Sequence, residues 1–111
     1  MSILTDCVCA GTKDALRRGF PHTVILTSKA DADAARMSIA GVAPSGSYCN
    51  NKGVWVIPDG STVEVFRYTD DVPDYEVGSV AFRVCHGKEP LSPEEVVHVQ
   101  RWRKALPSMA S

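Results

Sequence analysis

The clearest structural signal in the chain is VWVIPDGSTVEVFRY, residues 54–68. Two runs rich in β-branched and aromatic residues flank Pro58-Asp59-Gly60. Proline suits the second position of a tight turn, and glycine accepts a left-handed backbone there. The stretch therefore predicts a β-hairpin. Its first strand, 54–57, is apolar on both faces, so we expect that strand to be central in a sheet.

Two further strands are predicted around this hairpin. Residues 22–27, HTVILT, form a short β-branched run that suits an internal strand buried on both sides. Residues 79–85, SVAFRVC, alternate so that one face is apolar. We expect 79–85 to follow the hairpin in an antiparallel meander, and the position of 22–27 in the sheet stays open.

Three helices are predicted from apolar spacing and end signals. Residues 3–19 carry apolar residues at helical spacing, and a second helix follows Ser28 and stops near Gly41. A third begins at Ser92, where SPEE supplies an N-cap, a proline at the first helical position and a capping-box glutamate. The order α-β-α-β-β-β-α predicts a single compact α+β domain over residues 1–111, with helices packed on a mixed four-stranded sheet.

The composition is that of an ordinary globular protein. The 111 residues include 12 Lys+Arg and 13 Asp+Glu, for a formal net charge of -1. This balance argues against a strongly basic nucleic-acid-binding arm and against an acidic mimic of DNA. No apolar run approaches the roughly 20 residues that span a bilayer. The first residues also lack the early positive charge of a secretion signal. We therefore expect a cytoplasmic protein that does not contact membranes.

The cysteines raise the questions of disulfides and of zinc. They are Cys7, Cys9, Cys49 and Cys85. Without a secretion signal, free thiols in a reducing compartment are favoured. Three thiols and His86 have the ligand types of a zinc site, but the C-x-C spacing differs from the usual knuckle. We expect buried structural thiols, with no metal and no cofactor. Whether these four thiols and His86 meet in a metal or redox site stays open.

Two stretches carry a resemblance to a motor family. They are TVILTSKADADAARM, residues 23–37, and GVWVIPDGSTVEV, residues 53–65. Together they resemble the strand–helix unit and the glycine-serine hairpin that follow the nucleotide loop in terminase and helicase motors. The chain has neither the phosphate loop nor the acidic pair that holds magnesium in that family. The resemblance implies at most a remnant without ATPase activity, and no residue role is carried over from it.

The acidic loop over residues 69–78 is the leading candidate for a functional surface. Charged groups speed association and an aromatic side chain anchors a partner, so the loop has the features of a protein-docking element. The predicted partner-binding residues are Tyr68, Asp70, Asp71, Asp74, Tyr75 and Glu76. We expect a small non-enzymatic protein that binds another macromolecule, most often a protein, as the accessory and inhibitor proteins of phages and mobile elements do.

Two alternative functions stay open. Basic residues beside an aromatic side chain on the last helix can hold nucleic acid through phosphate contacts and stacking. These basic residues are Arg101, Arg103 and Lys104. Arg17 and Arg18 are candidates for the same nucleic-acid-binding surface. The other alternative is a small thiol-dependent enzyme, for which no catalytic residue is assigned because cysteine and histidine pair through space. A homodimer is a further alternative, because an exposed sheet edge can pair with the same edge of a second copy.

Overall fold

A computed structural model describes residues 2–76, 78–87 and 89–106. The elements follow in the order α1 (Ile3–Arg17), β1 (His22–Thr27), α2 (Ala32–Ile39), β2 (Tyr48–Cys49), β3 (Trp55–Val56), β4 (Thr62–Arg67), β5 (Val80–Val84) and α3 (Pro93–Ala105). None of the helices in these ranges combines the length and the apolar character that a membrane span requires.

The strands form one mixed sheet in the order β2-β3-β4-β1-β5. β1 lies inside the sheet and pairs in parallel with β4 on one side and with β5 on the other. The short strands β2 and β3 extend the sheet beyond β4 in antiparallel pairing. The domain is therefore α+β as predicted, but its sheet has five strands and not four.

The predicted hairpin is confirmed between β3 and β4. Its turn is closed by the N–H of Gly60, which donates to the carbonyl of Ile57 at 2.9 Å. Gly60 has a φ of 93°, the left-handed conformation that only glycine adopts without strain. The turn chemistry of Pro58 and Gly60 was thus sufficient to locate this element.

The predicted meander is wrong at its third strand. β5 does not lie beside β4 but on the far side of β1, where Val24 pairs with Phe82. Alternation in 79–85 identifies a strand, but it carries no information about the neighbouring strand. β1 is apolar on both faces, so it can lie inside the sheet and accept a parallel partner on each edge.

Two other boundaries differ from prediction. The strand β2 is not among the predicted strands, because two residues among turn formers leave no periodic signal. The helix α2 begins at Ala32 and not directly after Ser28. Ser28 instead closes a turn, with its hydroxyl accepting from the N–H of Asp31 at 3.2 Å. The capping box of α3 is confirmed at Ser92 and Glu95.

The sheet separates two apolar cores. α1 and α2 cover one face, and the side chain of Ile25 joins their core. α3 covers the other face, where Val24 and Leu26 pack with Trp102. Successive β1 residues alternate between the two cores, and this strand is buried throughout except at His22. The prediction of an internal strand buried on both sides is confirmed, and the architecture is a three-layer one.

Candidate functional site

The structure brings Cys7 and Cys85 together at the carboxyl end of β5. Cys7 lies on α1, and Cys85 directly follows β5, 78 residues further along the chain. Their Sγ atoms are 2.7 Å apart, and both residues are free thiols. This separation is only about 0.7 Å longer than the S–S bond of a disulfide. Oxidation of the pair therefore requires little movement of either residue.

The sheet fixes Cys85 from both sides. Its N–H donates to the carbonyl of Leu26 at the end of β1, at 2.9 Å. Its carbonyl accepts from the hydroxyl of Tyr68, which follows β4, at 3.4 Å. The side chain of Cys85 is fully buried in the core beneath α1. Cys7 is only partly buried, so it is the more accessible thiol of the two.

Arg83 adds a positive charge to the pair. The Arg83 side chain crosses α1 at Gly11, where an added Cβ would collide with the Arg83 Cδ and lie 3.2 Å from its Nε. The absence of a side chain at Gly11 thus allows Arg83 to lie along the helix toward Cys7. This close approach is a reason for glycine in the middle of a helix, where it is otherwise unfavourable.

The surroundings give the two thiols opposite properties. A hydrogen bond with the Cys85 thiol, with further help from the hydrogen bonding and charge of Arg83, lowers the pKa of Cys7 to about 6 despite partial burial. The same hydrogen bond, reinforced by burial, raises the pKa of Cys85. Near neutral pH, Cys7 is therefore a thiolate and Cys85 keeps its proton. A thiolate beside a protonated thiol is the arrangement used in thiol–disulfide chemistry.

The remaining cysteines and His86 make contacts of their own. The Sγ of Cys9 donates to the carbonyl of Ser38 on α2 at 3.5 Å, and Cys49 is exposed on β2. The expectation of buried thiols thus holds at Cys85 and fails at Cys49. The Nδ1 of His86 lies 2.9 and 3.1 Å from two backbone carbonyls. Across the described ranges, no three histidine, cysteine or acidic residues are grouped so that they could hold a metal ion.

The structure divides the predicted docking residues into buried and exposed groups. Tyr68 is 4% exposed, so a partner cannot reach its ring. Tyr75 is partly buried, with its ring centroid 5.1 Å from that of His22. Asp70 is turned back toward Arg67, whose guanidinium donates to it at 3.0 Å. Among the described residues of the loop, no aromatic side chain is therefore free to anchor a partner.

The exposed members of that group are Asp71, Asp74 and Glu76. We refer to these three exposed carboxylates, on the loop that follows β4, as the acidic surface. Val77, which belongs to the same predicted loop, lies outside the described residues.

The basic residues proposed for nucleic-acid binding do not form one face. Trp102 is fully buried, so it serves the core and cannot stack on a base. Arg101 donates to the backbone carbonyls of Tyr68 at 3.1 Å and Asp70 at 2.8 Å. The side chains of Arg103 and Lys104 are exposed on α3. Arg17 and Arg18 are paired with Asp14 on α1, which covers the opposite face of the sheet.

Comparisons with protein families, with curated proteins and with solved structures find no match to this chain. A functional assignment therefore depends on the arrangement of the side chains. Cys7 and Cys85 place two reactive groups in direct contact. Sequence patterns could not identify this pair, because no local motif links Cys7 to Cys85.

Proposed function

We propose that this protein is a thiol-based redox protein in which Cys7 and Cys85 cycle between a dithiol and a disulfide. The observation that carries the proposal is the 2.7 Å approach of the two Sγ atoms. The lowered pKa of Cys7 and the neighbouring Arg83 support it.

The different exposure of the two thiols sets the order of the reaction. The Cys7 thiolate attacks one sulfur of a substrate disulfide, a mixed disulfide forms, and the other substrate sulfur leaves as a thiolate. Cys85 then gives up its proton and attacks the Sγ of Cys7. The second substrate thiolate leaves and takes up a proton, and Cys7–Cys85 remains as a disulfide. Two electrons have passed from the cysteine pair to the substrate, which ends as two thiols once its first thiolate takes a proton from water.

The test uses a background in which the uninvolved thiols are removed by Cys9→Ser and Cys49→Ser. Incubation with oxidised glutathione at neutral pH is expected to remove two hydrogens from the intact mass and both free thiols from the protein. In the same background, Cys85→Ser is expected to accumulate one glutathione on Cys7, because the second attack is blocked. Cys7→Ser is expected to react with oxidised glutathione more slowly than the background protein.

Closure of the disulfide in the background protein and trapping of glutathione in Cys85→Ser support the assignment. Retention of both alkylatable thiols after oxidation overturns it. Equal reaction rates for Cys7→Ser and the background protein overturn the order in which the two cysteines act.

We also propose, as a second candidate, that the acidic surface of Asp71, Asp74 and Glu76 binds a protein partner with a basic surface. The supporting observation is that these side chains are exposed while Arg101 fixes the backbone at Tyr68 and Asp70. Exposed carboxylates raise the rate of encounter with a positively charged partner.

The second candidate predicts the effect of removing these charges. The triple variant Asp71→Asn, Asp74→Asn and Glu76→Gln is expected to lose partner capture in affinity purification, with little change in melting temperature because all three side chains are exposed. Glu94→Gln, an exposed acid on α3, is the matched control and is expected to retain the partner. An identical set of captured proteins for the triple variant and wild type contradicts this candidate.

A further inference from the structure

Cys7 is the point at which an oxidant reaches the cysteine pair. Its Sγ lies 2.7 Å from that of Cys85 and 3.7 Å from the carbonyl oxygen of Val84, yet Cys7 keeps part of its surface exposed. Cys85 has no exposed surface. Exchange with a disulfide joins Cys7 to a sulfur that carries its own substituent. A hydroperoxide needs only one oxygen to reach the same Sγ, so the partial exposure of Cys7 suits this small oxidant.

Arg83 supplies hydrogen-bond donors beside the attacking sulfur. Gly11 lies one helical turn after Cys7 on α1, and the Arg83 Nε lies 3.2 Å from the position of a Cβ built at Gly11. The guanidinium therefore lies over the face of α1 that carries Cys7, and the two groups interact through hydrogen bonding and charge. A guanidinium has several N–H donors, so it can serve the sulfur and a neighbouring oxygen at the same time.

The charges at the sulfur favour an uncharged oxidant. The Cys7 thiolate and the Arg83 guanidinium offset each other in charge. Asp14, which acts on Arg83 from α1, is paired with Arg17 at 2.8 Å and with Arg18 at 3.5 Å. A hydroperoxide is uncharged near neutral pH and gains negative charge only as its O–O bond breaks. Donors that meet charge as it develops stabilise the transition state more than the bound reactant.

We propose that hydroperoxides are a second class of electron acceptor for this cysteine pair, with Cys7 as the attacking thiolate, Arg83 as the donor to the leaving oxygen and Cys85 as the thiol that closes the disulfide. This inference rests on the proposed function, because it uses the same cycle between dithiol and disulfide. It adds a substrate class to that cycle and gives Arg83 a part in the reaction.

The reaction takes two steps. The Cys7 thiolate attacks the terminal oxygen of the hydroperoxide, an S–O bond forms, and the O–O bond breaks. The other oxygen leaves as an alkoxide, or as hydroxide from hydrogen peroxide, and takes a proton from water, while Cys7 becomes a sulfenic acid. The Sγ of Cys85 then attacks the Sγ of Cys7, its proton passes to the departing hydroxide, and water leaves as the disulfide forms. The pair has lost two electrons, and the hydroperoxide has been reduced to an alcohol or to water.

The test uses the background that retains only Cys7 and Cys85, reduced beforehand, with hydrogen peroxide as the probe. Bis(2-hydroxyethyl) disulfide, which is also uncharged, is the matched oxidant for disulfide exchange. Rates are compared at a pH at which alkylation shows Cys7 to be fully ionised, so that they describe the thiolate itself. Hydrogen peroxide is expected to close the disulfide at least about tenfold faster than it oxidises the thiolate of free cysteine. In Cys85→Ser, Cys7 is expected to gain one oxygen and to react with dimedone, a reagent for sulfenic acids.

Arg83→Gln tests the part played by the guanidinium. Under the same conditions it is expected to lower the rate with hydrogen peroxide by about tenfold. It is expected to change the rate with bis(2-hydroxyethyl) disulfide by less than about threefold, because a thiolate leaving group is less basic than hydroxide and gains less from a donor. Arg103→Gln, at an exposed position on α3, is the matched control and is expected to retain both rates.

The two oxidants separate failure of this inference from failure of the proposed function. Closure by bis(2-hydroxyethyl) disulfide, with a peroxide rate no greater than that of free cysteine, overturns the inference and leaves the redox proposal in place. Closure by neither oxidant overturns both. Equal peroxide rates in Arg83→Gln and the background protein overturn the role of Arg83. If Arg83→Gln does not fold, Cys85→Ser decides the inference, and absence of a dimedone adduct on Cys7 overturns it.

Discussion

Gly11 is the residue on which the position of Arg83 depends. Because an added Cβ would collide with Arg83, Gly11→Ala is expected to move the guanidinium away from Cys7 and raise the pKa of that thiol toward its ordinary value. The fold is expected to tolerate the change, since alanine favours a helix by about 1 kcal/mol over glycine. The measurement is the pH dependence of iodoacetamide reaction at Cys7.

Gly87→Ala is the matched control for this substitution, because nothing lies within 4 Å of a Cβ built there. An unchanged pH midpoint in Gly11→Ala would show that Arg83 does not stabilise the thiolate.

The lowered pKa of Cys7 also makes the stability of the reduced protein depend on pH. A group whose pKa is lower in the folded than in the unfolded chain stabilises the fold above its ordinary pKa, and this contribution is lost as the pH falls through the folded value. For Cys7 these values are 9.0 and about 6. With reductant present, the free energy of unfolding of wild type relative to Cys7→Ser is expected to rise between about pH 6 and pH 9. A difference that stays constant would contradict the lowered pKa.

At the scale of elements, α3 is attached to the sheet by polar side chains as well as by its apolar stripe. The indole N–H of Trp102 donates to the carbonyl of Tyr68 at 3.1 Å, and Arg101 donates to the same carbonyl. Arg101→Ala is therefore expected to lower the free energy of unfolding by about 1 kcal/mol. Arg103 is the next arginine on α3, and its side chain is exposed. Arg103→Ala is expected to change the free energy of unfolding by less than about 0.5 kcal/mol. Urea denaturation measures both, and equal losses would contradict a structural role for Arg101.

The elements also show how far sequence reasoning extends. The hairpin at Pro58–Gly60 and the capping box at Ser92 were predictable because the residues that determine them are adjacent in the chain. The strand that pairs with β5 was not predictable, since alternation along a strand describes its two faces and says nothing about its edges. The contact of Cys7 with Cys85 was hidden for the same reason: it results from the position of β5 beside β1.

At the scale of the whole molecule, a disulfide between Cys7 and Cys85 would close most of the chain into one loop, since 78 residues separate the two positions. Cross-links that close long loops restrict the unfolded chain and typically stabilise proteins by about 2–4 kcal/mol. The oxidised protein is therefore expected to resist denaturation by about that amount more than the reduced protein. Cys85→Ser, which cannot form the bond, should show no dependence on reductant. If mass spectrometry confirms the bond and stability is unchanged, this expectation is wrong.

The central place of β1 has a consequence for synthesis of the chain. His22 pairs with Thr62 on one side and with Val80 on the other, so both neighbours of β1 leave the ribosome well after β1 itself. Until then this apolar strand has two unpaired edges, which is the condition under which nascent chains associate with one another. Translation speed and chaperone supply are therefore expected to govern the yield of this protein more strongly than the stability of its finished fold.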